Sequence, residues 1–255
     1  MGRCGVQGAK DEGALNFSAR APNSGITRPS GRAPSYMKTK KLFITFEGPE
    51  GSGKSSQARS LVRTLRRAGR RVTFLRDPGS TALGRALRRA LLHMSTELSS
   101  LAEALLFIGG RVALVEERVA PALARGRVVV CDRFHDSTIA YQGVGGRLDA
   151  AWLDRLGRRA IGGIMPDLTV LLDVPVERGF ARLRRPHDRM ERKTRAFHER
   201  VRTGYLKLAK REPRRFVVVD ASGSPRDVRR EIESALFSRI KVLAPHPAPR
   251  TPSRI

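Results

Sequence analysis

Phe43-Ile44-Thr45-Phe46-Glu47-Gly48-Pro49-Glu50-Gly51-Ser52-Gly53-Lys54-Ser55 is the stretch of the 255-residue chain that decides the fold. Its apolar first part predicts a buried strand, and the G-x-x-x-x-G-K-S pattern leads into a segment that favours a helix. Glycines at these spacings let successive backbone N–H groups point at phosphate oxygens, and the helix N-terminus adds partial positive charge. The pattern predicts a nucleotide-binding loop; the alternative is a glycine-rich turn with an accidental lysine.

Each position of this loop has an expected task if the ligand is ATP. Backbone N–H groups cradle the phosphates, Lys54 reaches the β- and γ-phosphates, and the Ser55 hydroxyl ligates Mg²⁺. The predicted ATP-binding residues are Gly48, Pro49, Glu50, Gly51, Ser52, Gly53, Lys54 and Ser55.

Strand and helix patterns alternate along the core of the chain. Short apolar runs predict strands at Leu42–Glu47, Arg71–Arg76, Val128–Asp132, Leu168–Asp173 and Phe216–Asp220. Helices are predicted between them, including a long one over Ser99–Ala124 that is broken or strained at Gly109-Gly110 and at Pro121. The alternation predicts an α/β fold, a P-loop NTPase domain whose central parallel five-stranded sheet is wrapped by helices.

The two ends of the chain differ in composition from this core. Residues 1–40 are rich in Gly, Ser, Pro and Arg, and residues 240–255 are rich in Pro. We expect both ends to be disordered and to flank a single domain at 41–239. Met37 stands shortly before the first strand and is a candidate for the native start.

Net charge and cysteine content restrict the function class and the compartment. The chain holds 50 Lys and Arg against 24 Asp and Glu, a formal charge of +26. Because the arginines are scattered and aromatic residues are few, we expect anionic substrates rather than nucleic acid.

Two cysteines cannot form a disulfide framework, and no apolar run reaches about 18 residues, so we expect a cytoplasmic protein without a membrane span. Organellar targeting by the leader is the alternative, which Asp11 and Glu12 weaken because transit peptides are poor in acids.

A second signal lies at the end of the third predicted strand, in Cys131-Asp132-Arg133-Phe134. Ligands of parallel sheets bind beyond the carboxyl ends of the strands. That rule places four residues at one rim: Glu47, Arg76, Asp132 and Asp173. Asp132 can face the Mg²⁺ shell, and the planar fork of Arg133 can clamp a phosphate. The alternative is a strand-end salt bridge.

Four blocks occur in order along the chain. They are Phe46–Ser55, Arg76–Thr81, Leu106-Phe107 with Arg111, and Asp132–Gly143, followed by a strand at Pro166–Asp173. Together they resemble the thymidylate kinase family of P-loop nucleoside monophosphate kinases, over about residues 41–238. The resemblance implies ATP-dependent phosphorylation of dTMP to dTDP, in dTTP biosynthesis, with Mg²⁺ as the cofactor. It also implies a homodimer packed through long helices, for which Leu101–Leu123 is the candidate.

The resemblance also implies where dTMP binds. Phe107 stacks on the thymine, Arg111 bonds its carbonyl edge, and Tyr141 packs under the deoxyribose. The full implied set is Arg76, Pro78, Arg88, Phe107, Arg111, Arg133, Ser137, Thr138, Tyr141 and Gln142.

Three of these residues have simpler explanations on the sequence alone. Arg88 is equally a solvated helix arginine, Phe107 a core aromatic, and Ser137 a helix cap. The block at 76–80 also departs from the family's Arg-Glu-Pro-Gly-Gly, because it carries Asp77 and Ser80. The shorter acid puts the reach of Asp77 in question.

Leu183–Arg192 is charged and short of apolar anchors, which is typical of a mobile lid that closes on the substrates. The resemblance pairs an acid in the loop, here Glu50, with a catalytic lid arginine; Arg189 matches best, and Arg184 and Arg185 come next. The resemblance also places Glu50 near the acceptor sugar and phosphate.

The predicted catalytic residues are therefore Lys54, Arg133, Arg189 and Glu50, and the predicted metal ligands are Ser55 and Asp132. A solvated charged turn is the alternative for the lid.

Two other functions stay open on the sequence. A different P-loop nucleotide or nucleoside kinase would share the loop and the Asp-Arg turn, but would differ at Phe107, Arg111, Tyr141 and Gln142. An inactive, basic homologue that binds nucleotides or nucleic acid would use the positive charge as its working surface.

Overall fold

The computed structural model describes residues 41–93, 96–184 and 188–240, and five strands within them form one sheet. The strands are β1 (Leu42–Glu47), β2 (Val72–Arg76), β3 (Val128–Asp132), β4 (Leu168–Asp173) and β5 (Phe216–Asp220). Their order is β2-β3-β1-β4-β5, and every neighbouring pair is parallel. The predicted α/β fold is confirmed, and only β2 begins one residue later than predicted.

Helices connect and follow the strands. Those described are α1 (Lys54–Arg67), α2 (Ala82–His93), α3 (Ser100–Leu114), α4 (Ala120–Ala124), α5 (His135–Thr138), α6 (Ala150–Ala160), α7 (Val176–Ala181), α8 (Arg195–Arg211) and α9 (Pro225–Arg239). Two π-helical segments, Val115–Val119 and Ile139–Gly145, continue α3 and α5. Side chains at the helix starts accept the first free backbone N–H groups, as N-caps do. These caps are Ser99, Asp149, Thr194 and Ser224.

The break predicted at Gly109-Gly110 is wrong, because α3 runs through both glycines. Gly110 has a packing reason instead. A Cβ there would lie 2.9 Å from Cδ1 of Leu87, so the glycine lets α2 and α3 approach closely. The irregular geometry is the π-helical segment Val115–Val119, directly ahead of α4 and Pro121. A proline removes a helical N–H, which a local change of helix type accommodates.

Both faces of the sheet are buried, as a parallel sheet requires. On one face Ile44, Val130 and Val170 share an apolar cluster with α1 and α9. On the other face Phe43 and Leu171 belong to clusters built from α3, α8 and the π-helical segments. The sheet therefore gives rigid support to the residues at its carboxyl rim.

The rim forms as predicted, because Glu47, Arg76, Asp132 and Asp173 are the last residues of four parallel strands in one sheet. Asp132 pairs with Phe46 on β1 and with Arg76 on β2, so the ends of these strands are adjacent. Asp173, the last residue of β4, is held by both Nε and Nη2 of Arg202 on α8, at 2.7 and 2.8 Å. A helix arginine thus neutralises that carboxylate.

Within residues 41–93, 96–184 and 188–240, no helix is long and apolar enough to cross a membrane. The predicted leader at 1–40 and residues 241–255 of the predicted tail lie outside the described residues, as does Arg185 of the lid segment.

Candidate active site

A cavity of about 890 Å³ lies at the rim where β1, β2 and β3 end. The predicted site residues that line it are Glu50, Gly51, Ser52, Gly53, Lys54, Ser55, Arg76, Pro78, Arg88, Phe107, Arg111, Asp132, Arg133, Ser137, Thr138, Tyr141 and Gln142. The lining does not include Gly48, Pro49 or Arg189. The glycine-rich loop and the α3 face that carries Phe107 and Arg111 therefore open into one space.

The loop between β1 and α1 turns at glycines with left-handed backbone conformations. Gly51 has φ of 67° and Gly53 has φ of 88°, and α1 begins at the next residue. A Cβ on Gly51 would also lie 1.8 Å from the carbonyl oxygen of Gly179 on α7. Only glycine satisfies both constraints, and the resulting turn ends at a helix N-terminus suited to anions.

Lys54 folds back across the loop. Its Nζ donates to the carbonyl of Pro49 at 2.6 Å and to Ser52 Oγ at 3.2 Å. Burial, together with the nearby Arg133 cation, lowers the pKa of Lys54 to about 8, although Glu50 works in the opposite direction. A phosphate anion in the cavity would stabilise the charged amine, so the site favours such a ligand.

Ser55 and Asp132, the predicted metal ligands, lie against each other. Ser55 Oγ donates to Asp132 Oδ2 at 2.5 Å, and Arg76 bridges both, with Nε 3.2 Å from Asp132 Oδ2 and Nη2 3.0 Å from Ser55 Oγ. The described residues hold no group of three or more His, Cys, Asp or Glu side chains suited to a metal. One hydroxyl and one carboxylate fit Mg²⁺, which keeps most of its shell for water and phosphate oxygens.

Arg133 is the most heavily bonded side chain of the site. It has a left-handed backbone, with φ of 68°, and its guanidinium donates to Glu50 Oε1 and to Tyr141 Oη, both at 3.0 Å. A third bond reaches Tyr205 Oη at 3.1 Å. Burial opposes ionisation of Glu50, but Arg133 and Lys54 outweigh it and lower the pKa of Glu50 to about 2. Glu50 is therefore a permanent anion beside the loop.

Glu47 and Tyr205 belong to this network and were not among the predicted site residues. Glu47 is fully buried, and it accepts bonds from the Phe134 N–H at 2.7 Å, Ser137 Oγ at 2.6 Å and Tyr205 Oη at 2.9 Å. Burial and the neighbouring Asp136 raise the pKa of Glu47 to about 7. Glu47 is the last residue of β1, so the sequence predicted its position at the rim but not its hydrogen bonds. Tyr205 lies on α8 outside any recognisable motif, so nothing in the sequence indicated its role.

Arg111 lies at the far end of the cavity with most of its donors already engaged. Its Nε donates to Asp77 Oδ2 at 2.5 Å, and its Nη2 donates to Thr138 Oγ1 at 2.9 Å. Asp77 therefore reaches a partner despite its short side chain. Nη1 of Arg111 is buried and makes no hydrogen bond. Arg111 as a residue nevertheless lines the cavity, so its guanidinium lies at the edge of the space for a ligand.

Arg189 lies away from the loop. Its Nη1 donates to Glu103 Oε1 at 2.7 Å, its Nε donates to the Leu91 carbonyl at 2.8 Å, and its backbone N–H donates to the Leu92 carbonyl at 3.1 Å. The side chain is 6% exposed, in contrast to the exposed Arg184 on the same segment. Arg189 could reach a phosphate only by breaking a buried ion pair.

The opposite end of the cavity was missed by the sequence analysis. It is lined by Gln57, Arg182, Ala221, Gly223, Pro225 and Val228. Arg182 donates to the carbonyls of Ala221 and Ser222 at 2.8 and 3.0 Å, which fixes α7 against the β5–α9 turn. No motif marks these residues, since they come together only through the order of β4 and β5.

Comparisons with known proteins agree on one family. The thymidylate kinase family model matches residues 46–232. A thymidylate kinase of Trichlorobacter lovleyi is 46% identical over 210 residues, which span 79% of this chain and 99% of the relative. One of Thermomicrobium roseum is 50% identical over 186 residues, which span 72% and 88%. The crystal structure of thymidylate kinase from Ehrlichia chaffeensis superimposes with a TM-score of 0.63 at 34% identity, covering 76% of this chain and 97% of that one.

Gly179 gives a direct test of how α7 shapes the loop. A Cβ at Gly179 would lie 2.3 Å from the Glu50 carbonyl oxygen, a backbone atom that cannot move without the loop. Gly179→Ala should therefore weaken nucleotide binding by at least about 10-fold, measured by titration calorimetry, since small misplacements are costly at such sites. Gly109→Ala is the matched control, because a Cβ there meets no atom within 4 Å. Equal affinities for the two variants would contradict this reading.

Proposed function

The chain belongs to the thymidylate kinase family, and we propose that it transfers the γ-phosphoryl group of ATP to dTMP, forming ADP and dTDP. The observation that carries this proposal is the single cavity in which the phosphate loop faces Phe107 and Arg111. In phosphoryl transfer the protein mainly positions the two nucleotides and neutralises charge. The relatives reported above are all thymidylate kinases, so neither alternative function gains support.

The loop is the proposed site of the ATP phosphates. Its backbone N–H groups and Lys54 hold the β- and γ-phosphates, and the anionic ligand keeps Lys54 protonated. Ser55 and Asp132 are the residues that would hold Mg²⁺, which supplies positive charge to the phosphates when it is bound. Arg76 already bridges these two residues, so it lies between the donor and acceptor sides.

Three cavity-lining arginines, Arg76, Arg88 and Arg133, are the proposed ligands of the acceptor phosphate. Arg133 is held in place by Glu50 and Tyr141, so its charge is fixed in advance of the reaction. Among the described residues, the Arg88 guanidinium donates only from Nη1 to the Pro78 carbonyl, at 3.4 Å, which leaves its fork available for phosphate. Tyr141 lies under the proposed deoxyribose position, beside Arg133.

The two ends of the cavity fit the two bases. Phe107 and Arg111 supply a ring face and a donor for thymine. The end with Arg182, Pro225 and Val228 supplies an arginine plane and apolar walls, which suits the adenine of ATP. The loop lies between these ends, as transfer between two nucleotides requires.

A second copy of the chain is the proposed partner, and the cytoplasm is the proposed location. Leu101, Leu105 and Leu106 are exposed on α3, and Leu83 is exposed on the adjacent α2. Apolar faces of this kind mark protein contacts, and the family resemblance implies a dimer through these helices. Light scattering should give twice the 28.2 kDa chain mass, and Leu105→Glu should give the single mass. A monomeric unsubstituted protein would contradict the dimer.

Turnover is tested by ADP release in a coupled assay across the common nucleoside monophosphates. We expect dTMP to be the preferred acceptor. Lys54→Ala should lower kcat at least about 10²-fold, because it removes one preorganised cation from the transition state. Lys207→Ala, on the exposed face of α8, is the control for loss of a lysine. Absence of dTMP turnover, or normal turnover in Lys54→Ala, would refute the proposal.

The arginine that closes on the γ-phosphoryl group can be identified by comparing Arg184→Ala with Arg189→Ala. Since Arg189 is committed to Glu103, we expect Arg184→Ala to lower kcat with an unchanged Tm. Arg189→Ala should instead lower the Tm, because it leaves Glu103 buried with one partner fewer. A large loss of kcat at unchanged Tm in Arg189→Ala would restore Arg189, the residue favoured by the sequence, as the catalytic arginine.

A further inference from the structure

The amide of Gln142 is held by a buried carboxylate outside the cavity lining. Gln142 Nε2 donates to Glu103 Oε2 at 3.0 Å, and both side chains are buried. Gln142 itself lines the cavity, whereas Glu103 does not. Glu103 therefore touches the proposed base pocket only through Gln142.

Two cations fix the charge state of Glu103. Arg189 Nη1 and Lys193 Nζ both donate to its Oε1, at 2.7 and 2.9 Å. Burial raises the pKa of Glu103, but the bonds from Gln142, Lys193 and Arg189 outweigh it, and the net pKa is lowered. An ionised carboxylate only accepts hydrogen bonds. Gln142 must therefore present its nitrogen to Glu103 and keep its carbonyl oxygen on the other side.

That orientation gives the base pocket a defined pattern of donors and acceptors. Among the described residues Gln142 Oε1 has no hydrogen-bond partner. It is not one of the fully buried unpaired polar atoms, so it is open to the cavity that Gln142 lines. Arg111, which lines the same cavity, supplies the guanidinium donor. An acceptor beside a donor complements the N3–H and O4 of thymine or uracil, whereas cytosine presents N3 as an acceptor and its amino group as a donor.

We propose that Glu103 is a positioning residue for substrate choice: it holds the Gln142 carbonyl toward the base and so selects oxopyrimidines over aminopyrimidines. Arg189 and Lys193 act through Glu103 by keeping it an acceptor. The inference rests on the proposed function, because it assumes that a pyrimidine monophosphate occupies the cavity. This positioning role of Arg189, through Glu103, is compatible with its buried side chain.

Glu103→Gln is the decisive variant, because it should reverse the Gln142 amide. The new side chain keeps its oxygen toward Arg189 and Lys193, so its nitrogen replaces Oε2 and can only donate. Gln142 must then turn its own oxygen toward residue 103 and its nitrogen toward the base. We expect the ratio of kcat/KM for dTMP to that for dCMP to fall at least about 10-fold, with KM for ATP unchanged. Glu177→Gln, which changes an exposed ion-paired acid, is the matched control.

A double-mutant cycle separates positioning from packing. In a Gln142→Met background, Glu103→Gln should no longer change the dTMP to dCMP ratio, because no amide is left to orient. An equal fall in both backgrounds, or an unchanged ratio in a folded Glu103→Gln protein, would overturn the inference. Lack of dTMP turnover in the unsubstituted protein would instead refute the proposed function.

A further test changes the substrate and leaves Glu103 unsubstituted. Binding of dTMP is compared with binding of its N3-methyl analogue, which keeps the ring and O4 but lacks N3–H. We expect the analogue to bind at least about 10-fold more weakly, since it leaves the Gln142 carbonyl unpaired. The difference should disappear in Gln142→Met. Equal binding of both compounds to the unsubstituted protein would show that the carbonyl does not face N3.

Discussion

The ion pair between Arg133 and Glu50 is the interaction on which the rest of the site depends. It joins the end of β3 to the phosphate loop at 3.0 Å, and it lies largely out of water. Breaking a wholly buried pair costs about 3–5 kcal/mol, which is an upper limit for this partly buried one. Arg133 adopts a left-handed backbone at this point, so the chain accepts local strain to bring the guanidinium to the loop.

A second layer of contacts holds this pair in place. Tyr205 on α8 bonds both Arg133 and the buried Glu47, and Ser137 bonds the same two residues. Close packing makes this possible, since a Cβ on Gly204 would lie 3.0 Å from Cβ of Val144 in the π-helical segment Ile139–Gly145. The proposed acceptor side of the cavity is therefore built on rigid elements, which favours electrostatic preorganisation.

Part of the arginine content has an internal role. Several arginines neutralise carboxylates in the interior or at its edge rather than forming a basic surface. The pairs include Arg111 with Asp77, Arg189 with Glu103, Arg202 with Asp173, and Arg215 with Asp136. Arginine suits this use because its planar fork satisfies two acceptors at once. Because each of these pairs is neutral, they leave the net charge of +26 unchanged, and other residues carry it.

The sequence alone determined the parallel sheet, the phosphate loop and the rim residues, because these depend on local patterns: apolar runs of strand length, glycine spacing and strand ends. It did not determine that α3 continues through Gly109-Gly110, since the packing against Leu87 is a long-range contact. Nor did it reveal Glu47 and Tyr205 as partners, or the burial of Arg189 against Glu103. Those features join residues about 86 to 158 positions apart in the chain. Only the tertiary structure decides them, because the free energy of a buried charge depends on which partners the fold brings within hydrogen-bond distance.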